Sequence, residues 1–176
     1  LFIWDIVFAN VPGAFFNPFQ SAPSDLYHQE FVEKRRVLLD KRMQELDDPV
    51  RFAATVRKIY ESRYGIANPL VRWHKLPEQL LSKALFRIPV EHWKSLFERL
   101  LMDLRENSSG LPDLILFPAD GSYELIEIKG PGDAIQKNQR RWMRYFSEHD
   151  IPCRVVNVSW IQVTVVQDPI NLESDG

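Results

Sequence analysis

The sequence predicts an α/β fold in which a helical first half feeds one central sheet. Three observations carry this reading. Apolar residues recur at three- and four-residue intervals through most of residues 24–105, as in amphipathic helices. From residue 107 the texture changes to short apolar runs broken by turn residues, "NSSGLPDLILFPADGSYELIEIKGPGD". One more amphipathic segment, 134–149, separates those runs from a β-rich ending, so the second half reads β-β-α-β-β.

The elements follow in order. Residues 1–9, "LFIWDIVFA", read as the end of a helix, with a strand the alternative at this length, and 10–23, with Pro12, Gly13, Pro18 and Pro23, as a loop. Ser24 or Asp25 can cap a helix over 24–46 whose inward positions are Tyr27, Phe31, Leu38 and Leu39. A second helix fits 49–64, with Phe52, Val56, Ile59 and Tyr60 on one face, and Pro69 ends the pattern. Shorter helices fit 77–86 and 90–105, the latter turning Val90, Trp93, Phe97, Leu100 and Leu101 inward. Then come the runs "LILF" and "YELIEIK", joined by the Asp-Gly turn "PADGS", which predicts a hairpin. The helix over 134–149 has Ile135, Trp142 and Phe146 on its apolar side and a basic flank. "CRVVNVSW" and "IQVTVVQ" are strand-like, and 167–176 is a polar tail. The divisions expected are a helical region, 1–106, leading into and packing on a core at 107–166.

The 176 residues suffice for one domain with a real core. A net charge of −2 does not advertise nucleic-acid binding, although the local distribution of charge matters more than its sum. The single cysteine, Cys153, excludes an internal disulfide or a cysteine-built zinc site and suggests a reducing compartment. The four histidines have no partner at ligand spacing, which argues against zinc. No apolar run reaches the ~20 residues of a membrane helix. The apolar start without a basic region is no signal peptide. It reads as a segment entered midway, and the chain is expected to be a C-terminal fragment of a longer protein.

Polar groups in the predicted hairpin point to chemistry. Side chains alternate along a strand, so Glu127 and Lys129 share a face about 7 Å apart. Pairing the two runs brings Asp113, at the head of the first, opposite the end of the second. Two carboxylates suit a hard cation such as Mg²⁺ or Mn²⁺, with the backbone carbonyl of Ile128 as a further ligand. A lysine beside them can position water or offset charge on a phosphoryl group. The competing reading is a Glu–Lys pair on a solvated face.

Pro112-Asp113 with Glu127-Ile128-Lys129 resembles the signature of the PD-(D/E)xK nuclease superfamily. The narrower resemblance is to its VRR-NUC module, which reads G-x-PD, then E-x-KGP-x-D, then Q-x-x-W. Here these are Gly110, Pro112-Asp113, Glu127-x-Lys129-Gly130-Pro131, Asp133 and Gln139-Arg140-Arg141-Trp142. Upstream, Trp4-Asp5-Ile6, Pro23-x-Asp25-Leu26 and Arg35-Arg36 resemble the Fanconi-associated nuclease family. The resemblance implies a restriction-endonuclease-like core of mixed sheet flanked by helices. It implies a structure-selective nuclease acting on 5′ flaps and branched DNA, in interstrand-crosslink repair, with Mg²⁺ or Mn²⁺. Its location would be nuclear in a eukaryote and cytoplasmic, at the nucleoid, in a bacterium. Asp113 and Glu127 would be metal ligands, Lys129 the catalytic lysine, and Gln139 a supporting group on the helix. The family also uses an acidic residue on a helix ahead of the core. That position falls upstream of Leu1, and Asp5 aligns elsewhere, so this chain alone is expected to be impaired or inactive.

Lys137, Arg140, Arg141 and Arg144 are the candidate DNA contacts, set against a plain solvated basic face. Arg35 and Arg36 read as a solvated helix flank, the five tryptophans as core packing rather than base stacking, and Asn107-Ser108-Ser109 as a turn. The alternatives to a flap nuclease are a Holliday-junction resolvase-like enzyme and a catalytically degenerate DNA-binding module. A carboxylate-pair glycosidase fits poorly with a lysine on the same face.

Overall fold

The structure, a computed structural model, describes residues 1–160. Helix α1 (Trp4–Val7) is a single turn, shorter than the expected 1–9. The expected single helix over 24–46 is broken. Turns occupy the residues before α2 (Glu30–Lys34), and α3 (Arg36–Met43) runs into a 3₁₀ turn, Gln44–Asp47. The break is at Arg35, whose φ of −116° and ψ of 9° leave the helical region.

The cause is the Arg35 side chain, which is buried and not part of a solvated flank. Its guanidinium holds the Asp25 carboxylate in two hydrogen bonds of 2.8 and 3.2 Å. It also donates to the carbonyls of Ile6 (3.0 Å) and Phe31 (3.3 Å) and lies over the Phe31 ring. One residue thus ties α1, the turn at Asp25 and the start of α3. Arg36, by contrast, is exposed. Phe31 and Leu39 point inward as expected, whereas Tyr27 and Leu38 are nearly half exposed because the helix is interrupted between them.

The later helices follow local signals. Asp48 caps α4 (Pro49–Arg63) by accepting from the amides of Val50 and Arg51, with Pro49 at the first helical position. A 3₁₀ turn, Trp73–Lys75, precedes α5 (Glu78–Arg87). Ile88 is held extended before Pro89, which opens α6 (Val90–Met102). The helix expected to reach 105 stops at 102. Asp103 is extended and caps a separate turn, α7 (Leu104–Asn107), through the Glu106 amide.

The sheet has order β1-β2-β3. Strands β1 (Leu114–Leu116) and β2 (Glu124–Lys129) form the predicted hairpin, antiparallel with Leu114 opposite Ile126. Helix α8 (Lys137–Glu148) then crosses over to β3 (Cys153–Asn157), which lies parallel to β2 with Glu127 opposite Val155. The expected strand at "IQVTVVQ" and the tail lie outside the described residues. Two apolar clusters form the core. One is helical, around Phe2, Ile6, Phe31, Leu39 and Phe52; the other lies between the sheet and α8, around Trp142, Tyr145 and Phe146. Trp93 and Leu100 of α6 pack against both, so the helical half and the sheet share a wall.

Replacing Arg35 with alanine is expected to lower unfolding free energy by about 3–5 kcal/mol, because Asp25 is then left buried without its partner. Arg36→Ala should stay within about 0.5 kcal/mol. Urea titrations of the two variants make the comparison, and equal losses would contradict this account of the break.

Candidate active site

Two of the three polar residues singled out in the hairpin, Glu127 and Lys129, meet at the end of β2 under the start of α8, and Gln139 joins them there. Glu127 and Lys129 share the sheet face that α8 covers and are both buried, with 1% and 7% of their surface exposed. The Lys129 ammonium lies 2.8 Å from Glu127 Oε1 and donates to Gln139 Oε1 at 3.0 Å. The Gln139 amide nitrogen in turn donates to Glu127 Oε1. Gln139 Oε1 also accepts from the backbone amide of Gln136 at 2.9 Å, and the Gln136 side chain closes the reciprocal half of a capping box. That box fixes the first turn of α8 at residue 137, not 134, and leaves Ile135 outside the helix. The sequence does carry the signal, a Gln-x-x-Gln before the apolar stripe.

Glu127 Oε1 is therefore committed to two donors, while Oε2 is buried and has no hydrogen-bond partner among the described residues. An uncompensated buried carboxylate oxygen is costly, so a group bound there would relieve it.

Asp113 is exposed and does not join this cluster directly. Its Oδ2 accepts from the backbone amide of Ile128 at 2.9 Å, between the two buried residues. The hairpin register explains why. Leu125 gives its amide to Pro152 on the β3 side, so alternate residues of β2 bond toward β1. Extending the Leu114–Ile126 register by two residues puts Pro112 opposite Ile128. Proline has no N–H to offer the Ile128 carbonyl. Pro112 thus leaves that carbonyl unpaired by the strand, and Asp113 takes up the neighbouring amide.

Two contacts outside the predicted set hold this linker to α8. Gly110, at φ +84°, lies so close to Asn138 that an added Cβ would sit 2.8 Å from the Asn138 backbone. Ser109 bonds both the Asn138 side chain (3.2 Å) and the Trp142 indole (3.1 Å). After Lys129, Asp133 accepts from the Gly130 amide at 2.9 Å and closes the turn. On the outer side of α8, Lys137 and Arg140 are exposed. Arg144 is exposed and only loosely near Glu148 at 3.9 Å. Arg141 differs from its neighbours because it is paired with Glu106 at 2.9 Å. Cys153, behind the site, has its thiol pushed up to about 11, chiefly by burial and then by the negative charge of Glu127.

Hard oxygen donors are what the site offers: the Asp113 carboxylate, Glu127 Oε2 and the Ile128 carbonyl. They fit Mg²⁺ or Mn²⁺ better than a softer ion. Among the described residues, no three His, Cys, Asp or Glu side chains converge into a ready-made metal cage.

The chain is similar to known proteins along nearly all its length. The Fanconi-associated nuclease 1 homolog of Pseudomonas aeruginosa is 42% identical over 161 residues, 91% of this chain and 29% of the relative. The homolog of Oryza sativa is 30% identical over 164 residues, 90% of this chain and 17% of the relative. The chain thus spans less than a third of the length of either. A crystal structure of paFAN1 bound to DNA with a 2-nt 5′ flap and a gap superposes with a TM-score of 0.86 at 39% identity, over 92% of this chain and 30% of that one. The same protein on a 1-nt 5′ flap gives a TM-score of 0.87. The likeness extends to the mixed three-stranded sheet with its preceding helices. A family model described as the VRR-NUC domain matches residues 48–160, from the cap of α4 to the end of the described chain. By that match, and by the likeness to the Pseudomonas aeruginosa relative over most of its length, the chain belongs to the VRR-NUC domain family.

Proposed function

We propose that this chain is the catalytic part of a divalent-metal-dependent, structure-selective DNA nuclease that cleaves 5′-flapped and branched DNA, with a role in interstrand-crosslink repair. The observation that carries the reading is the buried Glu127, with one oxygen held by Lys129 and Gln139 and the other unpartnered. The names of the relatives and the flapped DNA bound to paFAN1 support the substrate class.

Asp113, Glu127 Oε2 and the Ile128 carbonyl would hold Mg²⁺ or Mn²⁺. When bound, the ion supplies Lewis-acid polarisation of a phosphate and a lowered pKa for water. The protein's own groups do the rest. Gln139 orients Glu127 and Lys129 by occupying one oxygen of the first and one N–H of the second. Lys129 has three N–H groups, two of them spent on Glu127 and Gln139, which leaves one for the scissile phosphate or the attacking water. Its fixed positive charge, in a site shielded from solvent, offsets the negative charge that builds on the phosphoryl oxygens. A further carboxylate, from an element upstream of this chain, would complete the donor set. On the outer face of α8, Lys137, Arg140 and Arg144 would meet backbone phosphates without regard to sequence. Arg141, tied to Glu106, would contribute less.

The full-length protein is expected to cut a labelled 5′-flap substrate in Mn²⁺ or Mg²⁺ and to stop when the metal is chelated. Asp113→Ala, Glu127→Ala and Lys129→Ala should each lower the single-turnover rate by about 100-fold or more. Cleavage by Asp113→Ala at the parent rate would overturn the assignment. Lys137→Ala with Arg140→Ala should weaken DNA binding and reduce the slope of log affinity against log salt by about 2. The single-turnover rate at saturating protein should be unchanged in that variant; an unchanged salt slope would remove α8 from the DNA interface.

A further inference from the structure

The charge of the chain is strongly segregated. Between Asp48 and Glu78, residues 49–77 carry six Lys and Arg against one acidic residue, Glu61, while the rest of the chain carries 16 against 23. These six are Arg51, Arg57, Lys58, Arg63, Arg72 and Lys75. All are exposed, and none forms an ion pair among the described residues. Five of them, Arg57, Lys58, Arg63, Arg72 and Lys75, lie in the second half of α4 and at the 3₁₀ turn Trp73–Lys75, the same stretches that carry a compact group of rings.

Tyr60, Tyr64 and Trp73 form a triangle with centroid separations of 5.4, 5.7 and 5.2 Å. The triangle is braced from below. Trp73 packs on the buried Trp4 and donates its indole N–H to the Ile66 carbonyl at 2.7 Å, and the Tyr60 hydroxyl bonds the Leu76 carbonyl. Tyr64 caps it with 61% of its surface exposed. Arg63 and Arg72 are the immediate chain neighbours of Tyr64 and Trp73.

We propose that this surface, on the end of α4 and separate from α8, binds a single-stranded segment of DNA, with Tyr64 as a stacking platform for a base and Arg63, Arg72 and Lys75 as phosphate contacts. The inference rests on reading the chain as a DNA nuclease and adds a second contact region to it. Three features select this ligand. Six cations without carboxylate partners favour a polyanion. A ring held in place by two neighbours loses little freedom when a base stacks on it. Stacking also needs a base whose face is free, which a duplex interior does not present but an unpaired strand does.

Fluorescence anisotropy of the purified chain with a labelled oligothymidylate of about 20 nucleotides tests this. Arg63→Ala/Arg72→Ala/Lys75→Ala should weaken binding at least tenfold. It should also reduce the slope of log affinity against log salt by about 2, the value for three contacts to a single strand. Tyr64→Ala should weaken binding about fivefold or more, and Tyr64→Phe should stay within about twofold, since the ring and not the hydroxyl carries the contact. Affinity for a blunt duplex should change less than affinity for the single strand in both cases. Circular dichroism melts check that the variants fold; their side chains are on the surface, and Tyr64→Phe keeps the ring. The proposal is overturned if folded variants bind the single strand as the parent does, if the parent does not bind it, or if duplex binding falls equally. Unchanged single-strand affinity in these variants, alongside flap cleavage that depends on Asp113, would sink this inference and leave the nuclease reading standing. Binding through Tyr64 with no cleavage of any flap would do the reverse.

Discussion

A carboxylate and an ammonium buried under a helix constrain everything around them. Each costs several kcal/mol to take out of water, and each therefore demands partners where it is buried. Here one amide group serves both Lys129 and one oxygen of Glu127, and the other oxygen, Oε2, is left without a partner among the described residues. Gln139 accepts from Lys129 and from the Gln136 backbone, and it donates to the same Glu127 oxygen that Lys129 contacts. The first turn of α8 must therefore sit where Gln139 can do this, and Trp142 and Phe146, one and two turns along, must meet the sheet from there. The apolar packing of α8 and the polar cluster are one constraint seen from two sides.

The other half of the site depends on a missing hydrogen. Proline opposite Ile128 breaks the β1–β2 ladder one pair early, and that break separates the two polar groups of one peptide neighbourhood. The amide is taken by Asp113, and the carbonyl is left without a strand partner. A residue with an N–H at position 112 could close the ladder and occupy the carbonyl. Gly110 belongs to the same device, because only a residue without a Cβ lets the linker pass over Asn138 and deliver Pro112 to that register.

Much of this was legible in the sequence because it is governed by local patterning. The hairpin followed from Asp-Gly between two apolar runs. The shared face of Glu127 and Lys129 followed from strand alternation, and α4 from the apolar spacing of Phe52, Val56 and Ile59. What escaped was whatever depends on a distant partner. Arg35 looked like a solvated cation since nothing nearby in sequence announces Asp25 as its buried mate, and that pair broke a helix whose periodicity was otherwise sound. Arg141 looked like its neighbours on the basic face until Glu106 was found against it. Periodicity starts α8 at residue 134, with Ile135 on its apolar side, because it weighs apolar residues and is blind to a glutamine that must serve a site.

Net charge was the least informative number of all. A total of −2 conceals a 29-residue stretch with six cations and one carboxylate, and an acidic remainder. For a ligand that is itself a polyanion, such segregation matters more than the sum. An acidic surface repels phosphate within roughly a Debye length, about 8–10 Å at physiological salt, and the basic regions attract it. Cations without an ion pair among the described residues occur at several places, and those of residues 49–77 stand out because a single carboxylate, Glu61, accompanies six of them. In the proposed complex with DNA the acidic remainder would take part in recognition, because it narrows the places where a charged backbone can rest.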